Sequence, residues 1–115
     1  MASVDVPVAL LGYGTVGAAV NRLLIEQADD IERATGHRLR VVKALVRNAD
    51  KPREFPPEAG VLTTDIAEVL DDPSIAIVAE VMGGVDPTGE YVLDALRGGK
   101  HVVTANKQLV ARRGG

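Results

Sequence analysis

The sequence predicts an α/β fold with a doubly wound parallel sheet in the strand order 3-2-1-4-5. Two observations lead to this fold. Apolar, strand-like runs alternate with segments of helical spacing along all 115 residues, and this alternation is typical of right-handed βαβ units. The first apolar run also leads directly into a glycine-rich turn. A chain of this length forms one core, so we expect a single domain over residues 1–115 that stops before a sixth strand.

The first strand and helix follow from the distribution of apolar residues. Residues 6–11 are almost continuously apolar, as in a parallel strand covered on both faces. We expect Pro7 at the beginning of this strand, where proline is tolerated. Apolar positions between residues 16 and 31 recur at helical spacing and predict one helix, which Gly36 ends.

The middle of the chain contains two strand signals and a loop. Residues 39–46 predict the second strand, and residues 61–62 predict a short third one. The segment between them, residues 51–60, contains three prolines and predicts a loop. A short helix should follow an N-cap at Thr64 or Asp65 and should stop before the next Asp-Pro pair.

The second half of the chain completes the predicted sheet with two further strands. The predicted elements are a buried strand at residues 75–82, a helix that begins at Pro87 after an Asp86 cap and ends at the glycines 98–99, a strand at residues 101–105, and a helix that begins at Lys107.

Composition excludes several classes of function. The net charge is −3, so the chain offers no broad basic face to a nucleic-acid backbone. No apolar run approaches membrane-spanning length, and the first residues lack the features of a signal peptide. The absence of cysteine fits a reducing cytoplasm, and His37 and His101 lack metal-binding spacing. We therefore expect a cytoplasmic protein without metal, nucleic-acid or membrane partners.

The turn after the first strand has the Gly-x-Gly-x-x-Gly spacing of a dinucleotide-binding, Rossmann-type motif. Gly12 can adopt the backbone angles of a tight turn, Gly14 lets a phosphate approach the backbone, and Gly17 lets the helix pack close to the strand. The N–H groups at the start of the helix would then face the phosphates. The alternative is a tight turn without a ligand. The strand before the motif and the helix after it favour the ligand.

The end of the second strand indicates which dinucleotide binds. Folds specific for NAD usually place an Asp or Glu there, whereas Arg47 follows this strand and no carboxylate ends it. Arg47 can hold a 2′-phosphate, and Lys51 and Arg53 can add to its positive field. These residues favour NADP, and a solvated Arg47 is the alternative. NAD stays open because Asp50 can reach a ribose.

The ends of the two later strands provide further candidates. Gly83 and Gly84 would let a ribose or ring lie against the backbone, with a plain turn as the alternative. Lys107 would point toward the nicotinamide, where an ammonium can polarise a carbonyl or orient a carboxylate. The alternative is a surface lysine, although the positive end of a helix disfavours one there. Glu80 lies in an apolar strand, so we expect it to have a structural partner.

Four segments together resemble the amino-terminal domain of homoserine dehydrogenase. They are the glycine turn, Lys51-Pro52-Arg53-Glu54, Glu80-Val81-Met82-Gly83-Gly84, and Val102-Val103-Thr104-Ala105-Asn106-Lys107. The similarity runs from about residue 6 to the end of the chain. The first segment is generic, whereas the Thr-Ala-Asn-Lys run, at its distance from the Glu-Val-x-Gly-Gly strand, is specific to the family.

The resemblance implies an oxidoreductase that interconverts L-homoserine and L-aspartate 4-semialdehyde with NAD or NADP. This reaction serves the biosynthesis of threonine, methionine and isoleucine. The resemblance also implies a homo-oligomer with a small-molecule substrate, and it makes Lys107 a supporting catalytic residue between nicotinamide and substrate. The implied cofactor-binding residues are Gly12, Tyr13, Gly14, Thr15, Val16, Gly17, Arg47, Met82, Gly83, Gly84, Thr104, Ala105, Asn106 and Lys107.

Members of this family continue into a substrate and dimerisation domain that supplies the main proton-transferring lysine. No segment of residues 1–115 corresponds to that domain, so we expect this chain to bind NADP weakly and not to oxidise homoserine by itself. Two alternatives stay open. One is a stand-alone NADP-binding or sensing module. The other is the front domain of a different amino-acid semialdehyde dehydrogenase, or of a homoserine dehydrogenase fused to aspartate kinase.

Overall fold

Five strands form one parallel sheet in the order β3-β2-β1-β4-β5, which confirms the predicted topology. The computed structural model describes residues 4–81 and 88–104. The strands are β1 (Val4–Leu11), β2 (His37–Leu45), β3 (Leu62–Thr63), β4 (Ile77–Glu80) and β5 (His101–Thr104). The helices are α1 (Thr15–Glu26), α2 (Ala28–Thr35), α3 (Ala67–Leu70) and α4 (Thr88–Arg97). Within these ranges, no helix combines the length and the apolar character needed to cross a bilayer.

The sheet separates two hydrophobic cores. On one face, Val8 and Leu10 of β1 and Val41 of β2 pack with apolar side chains of α1. On the other face, Ala9 and Leu11 of β1 pack with apolar side chains of α3 and α4. Even positions of β1 therefore face α1 and odd positions face α3 and α4, as the period of a strand requires. The predicted burial of β1 on both faces is confirmed.

β1 begins at Val4, and Pro7 lies inside it rather than at its start. The expectation for Pro7 is therefore wrong. The carbonyl of Pro7 accepts a hydrogen bond from the N–H of Ala76 at 3.1 Å, so this carbonyl and the proline nitrogen both face the β4 side. β4 begins only at Ile77. The missing N–H of Pro7 therefore removes no hydrogen bond from the β1–β4 ladder.

The long helix predicted after the glycine turn is divided at Gln27 into α1 and α2, so the expectation of one continuous helix is wrong. Gln27 has φ −103° and ψ 13°, outside the helical range. No glycine or proline marks this break, and apolar spacing alone does not reveal it. Gly36 ends α2 as predicted, in a left-handed conformation with φ 77°.

The remaining predicted elements are present with shifted boundaries. β2 begins and ends one or two residues earlier than the apolar pattern predicts, and β4 is shorter. The N-cap of α3 is Ile66 rather than the predicted Thr64 or Asp65, although the Asp65 carboxylate accepts a hydrogen bond from the N–H of Ala67, the first residue of α3, at 2.9 Å. Gly99, with φ 84°, closes α4 as predicted. The predicted helix starts at Pro87 and Lys107 lie outside the described residues.

Lys100 is a buried cation that holds the turn before β4. Only 8% of the residue is exposed, and its Nζ donates hydrogen bonds to the carbonyl oxygens of Asp72 at 2.6 Å and Ile75 at 2.8 Å. The Asp72 carboxylate accepts hydrogen bonds from the hydroxyl and the N–H of Ser74, and these bonds lower its pKa. The turn therefore enters β4 with its polar groups paired.

One extra residue interrupts β2. Val8 of β1 pairs with Val41, but the next residue, Ala9, pairs with Lys43. Val42 is therefore the extra residue of a β-bulge, and it packs against the core on the α3 and α4 face. Residues of β2 face α1 at odd positions before the bulge and at even positions after it.

β5 forms an edge of the sheet in the described part of the chain. Its residue Val103 is 61% exposed. The predicted order 3-2-1-4-5 places the fifth strand last, and β5 has this position among the described strands.

Candidate functional site

The glycine turn occupies three residues between β1 and α1. Gly12 has φ 110°, in the region that favours glycine. Its N–H donates a hydrogen bond to the carbonyl of Leu45 at 2.9 Å, which connects the turn to the end of β2. Gly12 thus provides the tight turn that the sequence predicts.

The other two glycines of the motif have opposite surroundings. A Cβ added to Gly14 would meet no other atom within 4 Å, so the surface there is open to a ligand. A Cβ added to Gly17 would lie 2.7 Å from the carbonyl oxygen of Gly12. Gly17 therefore lets α1 approach the turn, whereas Gly14 leaves room for a phosphate.

Among the described residues, the backbone donors at the N-terminus of α1 have no hydrogen-bond partner, and they lie beside this open glycine. The first helical hydrogen bond runs from the N–H of Ala18 to the carbonyl of Gly14 at 2.9 Å, so the N–H groups of Thr15, Val16 and Gly17 precede the hydrogen-bonded helix. No side chain caps this end, and its first turn contains no acidic residue. The helix dipole and the free donors favour an anion here.

Strand pairing aligns the carboxyl ends of the five described strands in one row, in which Thr63 of β3 pairs with Leu45 of β2. Leu11 of β1 pairs with Leu45 of β2 on one side and with Glu80 of β4 on the other. Glu80 in turn pairs with Thr104 of β5. With neighbouring strands about 4.8 Å apart, the row from β2 to β5 spans roughly 14 Å. The glycine turn leaves this row next to its centre, and ligands of open α/β sheets bind outside this edge.

Glu80 is a fully buried carboxylate in this row. Its Oε2 accepts a hydrogen bond from the hydroxyl of Thr104 at 2.9 Å. The bond joins the ends of β4 and β5, which is the structural role expected for Glu80. It also fixes the hydroxyl of Thr104, a residue that the sequence predicts at the cofactor.

The loop after β2 contains the predicted cationic residues. Arg47 and Lys51 are exposed. Arg53 instead turns back, and its guanidinium donates hydrogen bonds to the carbonyls of Lys51 at 2.7 Å and Asn48 at 2.8 Å. The Asn48 side chain accepts a hydrogen bond from the N–H of Asp50. Arg53 therefore shapes the loop, whereas Arg47 and Lys51 are available to a ligand.

Tyr13 is the residue of the glycine motif whose side chain points into the protein. It is 4% exposed and packs in the core on the α1 face. Its hydroxyl donates to the carbonyl of Phe55 at 2.7 Å and accepts from the Asn21 side-chain amide at 3.0 Å. The sequence analysis missed Asn21 and Phe55. An asparagine next to the apolar stripe of α1 was the one available signal of a buried polar contact.

Comparison with known proteins identifies the family. The model of the homoserine dehydrogenase NAD-binding domain matches residues 12–114. The chain belongs to the homoserine dehydrogenase family, as its NAD-binding domain. The homoserine dehydrogenase of Bacillus subtilis is 45% identical over 104 residues, which are 90% of this chain and 24% of that protein. The one from Corynebacterium glutamicum is 46% identical over 107 residues, 92% of this chain and 24% of that protein.

A solved structure supports the same family. The homoserine dehydrogenase of Thiobacillus denitrificans superposes with a TM-score of 0.88 and 48% sequence identity, over 96% of this chain and 25% of that chain. The present chain thus spans about a quarter of the length of the homoserine dehydrogenases that it matches.

The structure brings only part of the predicted homoserine dehydrogenase site into view. The glycine turn, Arg47 and Thr104 all lie at the carboxyl edge of the sheet. Predicted cofactor-binding residues that lie outside the described ranges are Met82, Gly83, Gly84, Ala105, Asn106 and Lys107. Their roles stay predictions.

Proposed function

We propose that this chain binds NADP for an oxidoreductase that interconverts L-homoserine and L-aspartate 4-semialdehyde. The main support is the glycine turn, where the uncapped start of α1 adjoins an open glycine at the carboxyl edge of the sheet. Backbone donors and helix dipole both attract negative charge, so this arrangement favours a diphosphate. Membership of the homoserine dehydrogenase family supports the choice of substrate.

In this proposal, the backbone N–H groups of Thr15, Val16 and Gly17 hold the diphosphate. The bound cofactor supplies the hydride chemistry. Thr104 lies at the carboxyl end of β5, and we assign it to the nicotinamide half of the cofactor. The family resemblance assigns residues 82–84 and 105–107 to the same half. Lys107 acts there as a supporting residue that polarises the substrate carbonyl or orients its carboxylate.

The preference for NADP over NAD rests on the loop after β2. Arg47 follows the end of β2, which is hydrogen-bonded to the glycine turn through Leu45 and Gly12. Arg47 is exposed, so its guanidinium can bind a 2′-phosphate through two parallel hydrogen bonds. Lys51 adds positive charge from the same loop. Arg53 supports the site indirectly, because its own donors hold the loop carbonyls.

Titration of the chain with both nucleotides tests this preference. Arg47→Ala should weaken NADP binding by about 1–3 kcal/mol, the scale of a lost charge-assisted hydrogen bond, and should leave NAD binding nearly unchanged. Isothermal titration calorimetry measures both affinities.

Arg97→Ala is the matched control for this experiment. Arg97 is an exposed arginine in the last turn of α4. It lies near the amino end of β5, whereas the proposed cofactor site lies at the carboxyl ends of the strands. Its replacement should change neither affinity. Equal losses of NADP and NAD in Arg47→Ala would contradict the proposed 2′-phosphate contact.

We also propose that the functional protein is a cytoplasmic homo-oligomer acting in the biosynthesis of threonine, methionine and isoleucine. The cysteine-free sequence supports a reducing compartment, and the exposed strand β5 supports association. Expression of the complete coding sequence, followed by an assay of homoserine-dependent NADP reduction, tests the substrate. Turnover of a different amino alcohol but not homoserine would contradict the choice.

A further inference from the structure

Tyr13 connects the glycine turn to the loop after β2, here called the β2 loop and defined as residues 47–56. A carbonyl oxygen can only accept a hydrogen bond, so the hydroxyl of Tyr13 donates its proton to Phe55 and the Asn21 amide donates to the Tyr13 oxygen. The Arg22 guanidinium lies over the Phe55 ring, 5.9 Å from its centroid. The glycine turn, α1 and the distant β2 loop thus meet at one hydroxyl.

The β2 loop is held at both of its ends. At its start, the N–H of Val46 donates to the carbonyl of Thr63 at 2.8 Å. At its end, Tyr13 holds the carbonyl of Phe55. Between these points, the hydrogen bonds of Arg53 stay within the loop and shape it locally. The bond from Gly12 to Leu45 ties the start of this locally folded segment to the glycine turn, and the bond from Tyr13 to Phe55 ties its far end to the same turn.

Loss of the Tyr13 hydroxyl would leave two polar groups without this partner. The Asn21 residue is 5% exposed, and the Phe55 carbonyl accepts the Tyr13 proton in a partly buried position. Buried groups that lose a partner tend to recover one by moving toward water. The loop end at Phe55 can do so by leaving the glycine turn, because it is a surface segment.

We infer that Tyr13 is a positioning residue for cofactor discrimination, which rests on the proposed binding of a 2′-phosphate by Arg47. Through Phe55, Tyr13 sets the distance between the donors at the start of α1, which hold the diphosphate, and the cations of the β2 loop. A ligand that carries a 2′-phosphate as well as a diphosphate must reach both groups of donors at once, so its affinity depends on that distance. A ligand with the diphosphate alone contacts only the start of α1, so its affinity does not. The Tyr13 hydroxyl exerts this effect from inside the protein, without touching the ligand.

The test compares 2′,5′-ADP with 5′-ADP, two probes of which only the first has a phosphate on the 2′-oxygen. Tyr13→Phe should weaken binding of 2′,5′-ADP by about fivefold, the scale of one lost hydrogen bond, and should weaken 5′-ADP much less. Hydrogen exchange of amides in the β2 loop should accelerate in the same variant. The quantity compared is the ratio of the affinities for 2′,5′-ADP and 5′-ADP. A lower melting temperature with an unchanged ratio would show a merely structural role and would overturn the inference.

Two further variants make the result specific. Tyr91→Phe removes the same hydroxyl from a residue on the opposite face of the sheet and should leave the ratio unchanged. Asn21→Ala removes the donor to Tyr13 and should shift the ratio in the same direction as Tyr13→Phe but less. If Tyr13→Phe fails to fold, this variant provides the deciding measurement, and an unchanged ratio in it would overturn the inference.

Combination with Arg47→Ala separates this inference from the proposed function. If Tyr13 acts through the loop cations, Tyr13→Phe should have little further effect on the ratio in an Arg47→Ala background. A ratio that responds to Arg47→Ala but not to Tyr13→Phe overturns the inference alone. A ratio that does not respond to Arg47→Ala overturns the proposed 2′-phosphate site, and the role of Tyr13 in discrimination with it.

Discussion

Gly17→Ala should destabilise the fold, because α1 and the glycine turn leave no space for a side chain there. The new Cβ would lie 2.7 Å from the oxygen and 3.2 Å from the carbon of the Gly12 carbonyl, and 3.4 Å from Cγ2 of Val81. The backbone of Gly12 cannot easily retreat, since its φ is 110° and its N–H is bonded to Leu45. Overpacking of this kind costs about 1–3 kcal/mol. A Cβ 2.7 Å from a backbone oxygen falls in the upper part of this range, about 2–3 kcal/mol. The higher helix propensity of alanine offsets about 1 kcal/mol of it, which leaves a net loss of roughly 1–2 kcal/mol.

Thermal unfolding of the Gly17→Ala variant measures this loss. For a domain of this size we expect the Tm to fall by roughly 4–8 °C. Gly14→Ala is the matched control, because Gly14 has φ −84° and ψ −151° and an added Cβ meets nothing within 4 Å. Its Tm should stay near that of the wild type, whereas its NADP affinity should fall at least about tenfold, since the methyl group occupies the space needed by the diphosphate. An unchanged Tm in Gly17→Ala, or wild-type NADP affinity in Gly14→Ala, would refute this reasoning.

Three further outcomes are expected. Lys100→Met should lower the free energy of unfolding by about 2 kcal/mol, because two carbonyls lose a charged donor. Urea titration measures this loss, and Arg33→Met, which replaces an exposed cation on α2, is the control that should change the free energy little. Hydrogen bonds from Lys43 and Thr63 lower the pKa of Glu68. The ionised Glu68 carboxylate therefore stabilises the fold above the ordinary glutamate pKa, and this stabilisation is lost as the pH falls through the lowered value. Glu68→Gln should therefore reduce Tm at pH 7 but not in strong acid, and a deficit that persists in acid would contradict this. Because the edge strand β5 is exposed, the chain should self-associate at high concentration, and light scattering from a strictly monomeric species would argue against it.

The parts of the fold that sequence predicts well are those in which one physical constraint dominates. Burial on both faces makes the second half of β1, residues 8–11, apolar, and the glycine turn requires Gly12 and Gly17 for reasons that no other residue satisfies. The strand order follows from the glycine-rich turn in an alternating β/α chain, which is typical of Rossmann-type sheets, and right-handed crossovers then place helices on both faces. These constraints also locate the candidate site, because they place the start of α1 at the carboxyl edge of the sheet.

Other features depend on contacts between distant segments, which local patterns do not encode. The direction of the Tyr13 side chain is set by Asn21 and by a carbonyl 42 residues away. Arg53 has the same charge and loop position as Arg47, yet its guanidinium is taken up by carbonyls of its own loop. The break at Gln27 likewise has no marker in its own residue type.

The bulge in β2 has a consequence for how this domain can change in length. In most strands, removal of one residue exchanges the two faces for everything that follows. Val42 is the exception, because the residues on either side of it already pair with consecutive residues of β1. Deletion of Val42 would leave a regular strand in which the other side chains keep their present faces. Only the packing of the Val42 side chain would be lost. Single-residue length variation among relatives should therefore concentrate at this point of the strand.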